Sequence, residues 1–506
     1  MSDLLSTSVS GLLAFQRALD VTSNNVANAA TPGYSVERIN LAEQPSQSSP
    51  GGFIGNGVEV VGVQRSYDEA LAQQVRSSQS GYSGFNAFAT QAAQVDNMLS
   101  DSSTGLTAGL QAFVNAMQNV ASSPASTAQR QVLLSQAQAL TQQLQSYDSR
   151  LTQYDSNIES QIGSSVSQIN SLATNIAQLN QQIAAAVGGT GQQPNDMLDQ
   201  RDQLIDQLSQ YVSVSTATQS DGEMNVYIGT GQALVAAGTA QTLTTIPSPY
   251  DSTRLDVGLD QGGSNTADIT AQITGGSLGG LLSARSQVID ATRNALGRVS
   301  VGLATIVNGQ QSVGMDLTGS LGQPMFAVGG VQALAASTNA GSASLTVTRT
   351  SLSALTTDNY QMQDVSGTWK LTDLTTDQAV AMSGSGTGAS PFTAAGLSIV
   401  VSGAATSGDS FEIEPTAAAT QGLSVLISSP AQIAAASPLQ TGAGAGNAGT
   451  GSISAATVTD PTNGQLLSTA TIRFTSPTTY TINGGASQTY TSGQPIGANG
   501  WSVTIT

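Results

Sequence analysis

Few side chains in this chain have types and spacings suited to chemistry. Asp199, Asp202 and Asp206 fall at helical spacing, with Arg201 among them. Three carboxylates on one helix can approach a cation, yet no further ligand converges on them in the sequence, so they read as a hydrated polar face. The glycine-rich run Gly275 to Gly280 precedes an apolar helical pattern. A phosphate cradle needs a Lys followed by Ser or Thr at the head of that helix, and none is there, which leaves a helix-entry turn. Glu412 and Glu414 share one face of a strand. Paired carboxylates serve glycoside hydrolysis, but acidic residues on a sheet surface are far commoner. Asp251, Asp256, Asp260 and Asp268 match no calcium-loop spacing, and Arg38, Arg65 and Arg76 are expected to pair locally or across subunits. The chain has no cysteine and no histidine. That excludes a thiol nucleophile, a disulfide scaffold, the commonest zinc sites and histidine-based catalysis. No catalytic, cofactor or metal site is expected.

Composition narrows the class further. The 506 residues carry 14 basic and 32 acidic side chains, a net charge of -18 with only 9% charged residues. Neither nucleic acid nor an anionic membrane is a partner for such a surface. Hydrophobic residues at 39% supply folded cores, so disorder throughout is a poor reading. The length fits about three or four domains. No basic segment followed by an apolar run marks a cleavable signal, and no stretch is long and apolar enough to span a bilayer. Export, if it occurs, reads another address.

The elements that must position these residues follow from periodicity. Leu4 to Ala27 reads as an amphipathic helix in which Leu5, Val9, Leu12, Gln16, Leu19, Ser23 and Val26 alternate by four and three, the spacing of a seam made for another helix. Its polar face is nearly uncharged, which marks a docking element. Asn28 to Ser35 breaks it, because Pro32 cannot continue a helix and Gly33 permits unusual dihedrals. A loose strand (36–41), a loop or arm (42–57) holding Pro45, Pro50 and four glycines, and a short strand (57–65) come next. A second helix opens on a possible Ser66/Glu69 capping box and carries Leu71, Val75, Tyr82, Phe85, Phe88, Val95 and Leu99. Another spans about 109–120. Ser123 and Pro124 then head the longest element, running to about Val187 and stopped by Gly188 and Gly189. A helix of that length is roughly 95 Å long, which implies a rod-shaped bundle. Its seam shifts phase near Ile162 and Val166, as at a stutter or a bend at Gly163. Asn195 caps a short helix, strand patterns fill 211–275, one helix returns at about 282–306, and β patterns dominate beyond Phe326. The fold class is multidomain α+β: an elongated helical-bundle rod interrupted by and followed by small β-rich domains. The expected divisions are 1–35 (docking helix and break), 36–210 (bundle with arm), 211–275 (β-rich insertion), 276–330 (returning helix), 331–435 (β-rich outer domain) and 436–506 (second β-rich segment).

The run Asn24, Asn25, Val26, Ala27, Asn28, Ala29, Ala30, Thr31, Pro32, Gly33, Tyr34, Ser35 resembles the N-terminal signature of bacterial flagellar rod, hook and hook-associated proteins. Further stretches resemble the branch of that family found at the hook-filament junction. They are Gly57 to Val60 leading into Arg65, Tyr67 and Asp68; Arg76; Pro124 with Arg130; Leu198 to Asp202; Gly275 to Leu282; Asn308 with Gly314, Asp316 and Leu317; and Gly408 to Phe411 with Pro415. Residues 436–506 match no such motif. Two departures stand out. Family members often carry a His shortly after the position matching Asn308, where this chain reads Gln310, Gln311, Ser312, Val313. They also end in a long amphipathic helix, absent from the last stretch here, so further residues are expected beyond Thr506.

The resemblance implies a structural subunit outside the cell. Such a subunit is exported unfolded by the flagellar type III apparatus and joins hook to filament in a layer of roughly eleven copies, a closed assembly of identical interfaces. Its implied partners are other copies of itself, the hook protein, a second junction protein (hook-associated protein 3) and an export chaperone bound through a C-terminal segment beyond Thr506; the isolated fragment would be monomeric. The residues expected to carry assembly and packing are Leu5, Val9, Leu12, Leu19 and Val26 on the seam, and Asn28, Pro32, Gly33 and Tyr34 at the break. The residues also admit a secreted adhesin or fibre-like surface protein with a helical stalk.

Overall fold

Seven α-helices and a set of small antiparallel sheets make a multidomain α+β fold in the computed structural model, which describes residues 2–49, 52–100, 105–262 and 265–506. The helices are α1 (Ser2–Ala27), α2 (Glu69–Leu99), α3 (Leu106–Ser122), α4 (Thr127–Thr190), α5 (Asn195–Ser209), α6 (Gly276–Ala284) and α7 (Ala291–Ser312). Pro50, assigned above to the arm, lies outside the described residues, as does Gly51.

The 64 residues of α4 rise over about 96 Å. Its seam is buried from Leu133 through Leu140, Leu144, Leu151, Ile158, Ile162, Val166 and Ile169 to Ile176 and Ile183. The seam changes register between Ile158 and Ile162, and from there Ile162, Val166, Ile169, Ala173, Ile176, Asn180 and Ile183 keep the new one, so Leu179 is only half-buried and fully buried Asn180 takes its place. Three sequence expectations for helix ends are corrected. Ser123 closes α3, accepting no role at the head of α4, and Ser126 caps α4 instead, its Oγ taking the Gln129 amide at 3.3 Å. Gly188 and Gly189 do not stop α4, which runs on to Thr190 and closes through the Gly191 amide on the Val187 carbonyl. Asp68, rather than Ser66, caps α2, its carboxylate accepting the Leu71 amide at 3.0 Å. The single returning helix is in fact α6, a π-helical turn (Arg285–Asp290) and α7.

The chain divides into two units, Met1–Val95 with Gln153–Ile289, and Asp96–Thr152 with Asp290–Thr506. In the first, β1 (Glu37–Glu43) pairs with β4 (Val58–Arg65), and the arm between them folds into the ribbon β2 (Gln47–Ser49) and β3 (Gly52–Ile54). The insertion holds a four-stranded sheet, β5 (Val214–Thr218), β6 (Met224–Ile228), β7 (Gln232–Ala236) and β8 (Thr239–Ala240). Beside it lies a three-stranded one, β9 (Leu243–Pro247), β10 (Leu255–Asp260) and β11 (Thr266–Asp268). Carboxamides fasten both sheets to α4. The Asn180 amide nitrogen donates to the carbonyls of Met224 and Ala237 at 2.8 and 2.7 Å, while its oxygen accepts the Met224 amide at 3.2 Å. Asn170 makes the same two-way bond with Leu243. Asn170 thereby stands in for the missing neighbour of edge strand β9, and Asn180 satisfies the end of β6 and the β7–β8 turn. Gly280 brings α6 against α2 so closely that a Cβ would strike the Gly84 carbonyl.

The second unit builds its core from Phe113, Ala116 and Val120 of α3, the first half of α4 and the buried face of α7, with Phe113 edge-on to Phe326 at 5.9 Å. Its larger β module is a five-stranded sheet in the order Gln332–Ala335, Ser410–Glu414, Tyr360–Val365, Thr368–Asp373, Gln378–Val380. The core of this module holds Tyr360, Met362, Leu371, Leu397, Ile399 and Ile413. A separate cluster of Leu466, Tyr480, Ile496, Trp501 and Val503 forms the core of the last segment. In the larger module the Asp409 carboxylate accepts the amides of Thr406, Ala340 and Gly341. These amides, Thr406 foremost, hold its pKa below the ordinary carboxylate value of 3.8 against the opposing effect of burial. A depressed pKa stabilises the folded state above the unfolded value, and that contribution is lost as pH falls through the folded pKa. The melting temperature of the second unit should therefore drop below pH about 4, and Asp409→Asn should flatten that acid limb; an unchanged acid limb in the variant would contradict the assignment.

Candidate assembly surface

α1 is almost bare. Ala14 is buried at 3% exposure, but Leu12 is exposed at 70%, Val26 at 73%, and Leu5, Val9, Leu13, Phe15 and Leu19 are all exposed too. The groove beneath it, about 510 Å³, is shallow and lined by Ser10, Ala14, Arg17, Gln44, Val58 and Val60 among others. Along its length α1 rests on β1 and β4, with one long bond from the Val58 amide to Ser10 at 3.3 Å. Sixteen of the twenty-six exposed large apolar side chains of the described residues lie at or before Phe85, so the exposed apolar surface is concentrated in the first sixth of the chain. Apolar surface concentrated in this way is a candidate for interaction.

α1 is also held by a polar lock at its C-terminal end. Asn25 accepts the Glu37 amide and the Tyr34 hydroxyl, both at 2.8 Å, and donates to the Glu37 carbonyl at 2.9 Å. Burial first, then Glu37 and Asp199, raise the Tyr34 pKa. Asn28 bonds back to Asn24 and receives Thr31, while Gly33 turns the chain at a φ of +81° against the side chain of Gln203. Beyond the turn the Ser35 amide donates to Asp199 at 2.8 Å, and Asn195 donates to Glu37 at 2.9 Å and to the Val63 carbonyl at 3.1 Å. Asn195 is therefore not the helix cap expected from sequence; it is the first residue of α5, after Pro194, and its side chain reaches across to the arm.

The acidic face of α5 is likewise corrected. Asp199 and Asp202 are not hydrated: Arg65 pairs with Asp199 at 2.9 Å and with Asp202 at 2.5 Å, the latter a close ion pair not aligned as a hydrogen bond. Arg76, 3% exposed, reaches Asp202 at 3.3 Å, Asp206 at 2.6 Å and the Tyr67 hydroxyl at 3.2 Å. Asp206 alone remains open to water. Burial lowers the Arg76 pKa, but the hydrogen bond and charge of Asp206 with the neighbouring Tyr67 and Asp202 more than restore it. Arg201 points the other way, its guanidinium on Asn180 and the Gly222 carbonyl. One short helix thus ties the arm, α2, α4 and a β-hairpin together. Among the described residues no group of three or more His, Cys, Asp or Glu could hold a metal, and Glu412 is engaged by Asn359 at 3.2 Å.

The seam residues Leu5, Val9, Leu12, Leu19 and Val26 lie together on α1, whereas Asn28, Pro32, Gly33 and Tyr34 lie at the lock. Sequence reasoning missed Asn25, Glu37, Asn195 and Asp199 as the parts that join them. In a chain so poor in charge, an Arg at 65 and a cluster of Asp on one helix are each a signal of pairing.

The comparisons agree on one family. A profile described as the flagellar hook-associated protein FlgK helical domain matches residues 92–326, that of the flagella basal body rod protein matches 5–34, and that of the D2-like domain of flagellar hook-associated protein 1 matches 334–415. Flagellar hook-associated protein 1 of Escherichia coli is 36% identical over 444 residues, 87% of this chain and 81% of the relative. The chain belongs to the flagellar hook-associated protein 1 family. The Salmonella typhimurium member is 36% identical over 440 residues, 86% of this chain and 79% of the relative. The solved flagellar hook junction protein FlgK from Burkholderia pseudomallei superposes with a TM-score of 0.77 at 30% identity, over 86% of this chain and 85% of that one. Membership makes this a structural protein and not an enzyme.

Removing the guanidinium of Arg76 leaves Asp202 buried with only part of its compensation. Arg76→Ala should cost about 3 kcal/mol of stability in the first unit, the range for a broken buried pair. Chemical denaturation followed by the fluorescence of a probe placed in that unit measures it; a loss below about 1 kcal/mol would show the pair to be no stronger than a surface one.

Proposed function

We propose that this chain is an axial subunit at the hook-filament junction of the bacterial flagellum, exported through the flagellar type III apparatus and working outside the cell. The observation that carries this reading is α1: a helix with a four-and-three seam, exposed on almost every large side chain, yet fixed at one end by a dense lock. A helix held but not covered is ready for a partner. Leu5, Val9, Leu12, Leu19 and Val26 supply the packing surface, and Asn28, Pro32, Gly33 and Tyr34 shape the turn that hands the chain from the axial helix to the arm. The subunit contacts hook on one side and filament components on the other, in a layer of roughly eleven copies closed by identical heterologous interfaces. The hook protein and hook-associated protein 3 are its neighbours, and an export chaperone attends it before assembly. Residues 331–435 and 436–506 are outer modules carried on the helical body.

A chain without cysteine or disulfide suits this route, since nothing covalent resists unfolding during export. Leu12→Asp should leave secretion at the parental level while abolishing incorporation into the flagellum, because a buried unpaired carboxylate is not tolerated in a helix seam. Secreted and flagellum-bound protein are measured separately by immunoblot; normal incorporation of the variant would overturn the docking reading.

A further inference from the structure

We propose that Asp199, on α5 and outside the docking surface, is the positioning residue that aims α1: its two carboxylate oxygens join the turn after α1 to the arm that returns beneath it, and so set the direction in which the seam is presented. This deepens the reading above and rests on it for its consequence in the flagellum, though not for its geometry.

Asp199 is on a different element from everything it joins. One oxygen accepts the Ser35 amide at 2.8 Å and the other accepts Arg65, at the end of β4, at 2.9 Å. Residues 35 and 65 bracket the whole arm, so a single carboxylate closes it at its base. Side-chain exposure at the pair is 9% and 12%, which keeps water from competing for the two bonds. Arg65 is itself held from behind by Asp202 and lies over the Tyr67 ring at 4.3 Å. The guanidinium therefore has little freedom to follow a moving partner. Ahead of the turn, Asn25 repeats the device on α1, joining its last helical turns to Glu37, and Asn195 ties Glu37 back to α5. The chain of contacts runs α5, Asp199, Ser35, Glu37, Asn25, α1. α1 also rests on β1 and β4, with the Ser10 bond to Val58 between them, so helix and arm move as one body. The angle of that body to α5 is set where Asp199 closes the arm at its base.

Asp206 supplies the control. It sits on the same helix and bonds to Arg76, but touches neither the arm nor the turn. If Asp199 merely stabilised α5, losing Asp206 would have a similar effect.

The absence of cysteine allows two labels to be placed cleanly. With Gln16→Cys on α1 and Gln207→Cys on α5 carrying spin labels in the full chain, the distance distribution should be narrow in the parent. It should broaden in Asp199→Ala and remain narrow in Asp206→Ala. Asn25→Ala, at a half-buried position outside every ion pair, should broaden it as Asp199→Ala does, and serves if the latter fails to fold. In cells, Asp199→Ala should be secreted at the parental level but incorporated at a lower one. A distribution as narrow in Asp199→Ala or Asn25→Ala as in the parent, or equal broadening in Asp206→Ala, would overturn the positioning role, whatever the cellular result. Broadening without any loss of incorporation would leave the geometry standing and count against the junction reading on which its consequence rests.

Discussion

The pairing of Asp199 and Asp202 with Arg65 and Arg76 is the interaction on which the first unit depends. Four charges, most of them turned from water, join the arm and α2, which are neighbours in sequence, to α5 more than a hundred residues on. Only 9% of residues are charged, and these four are concentrated at one junction. Its value lies in definition as much as in stability. Buried ion pairs offset their own desolvation at best narrowly, yet a mispaired arrangement strands a charge and is strongly disfavoured. The arm consequently has one register on the body, and α1, which enters through the arm, has one point of departure.

Elsewhere the same work falls to carboxamides. Asn170 and Asn180 on α4, Asn25 on α1 and Asn308 on α7 each bond both ways to the backbone of a neighbouring strand or loop, Asn308 to Met325 and Phe326. A carboxamide carries a donor and an acceptor in the geometry of a peptide group, so it satisfies an edge strand without a net charge and without titrating. β modules attached in this way need neither disulfide nor metal. These carboxamides act beside ion pairs such as Arg254–Asp155, and none of the fastenings is covalent, so the chain can be drawn out and can re-form the same contacts afterwards.

Periodicity made most of the fold legible before any coordinates. The α4 seam and the strand patterns at Leu397 and Thr479 follow from local spacing, because each reflects burial on one face of a single element; α6 instead begins at Gly276, inside the glycine run read as the turn before it. Helix ends were less legible. Ser123 and Asp68 sit beside equally suitable caps, and the choice is made by packing between elements rather than by residue type. Gly188 and Gly189 fail to stop α4 because a glycine costs a helix only about 1 kcal/mol, well within what an already buried helix can absorb. The lock was illegible for a different reason. Asp199 and Ser35 are separated by 164 residues, and no local pattern distinguishes an acid that faces water from one that faces an arginine folded in from elsewhere. The apolar stripe of α1, by contrast, needs only local spacing to be seen, and its large side chains are exposed in the fold described.

The central claim is that the α1 seam is open in the free chain and covered in the flagellum. Leu19→Cys reports on it directly, since no other thiol is present. A bulky maleimide should label the purified chain rapidly, while the same residue in isolated flagella should resist labelling until they are depolymerised. Equal labelling of the free and assembled protein would contradict the account.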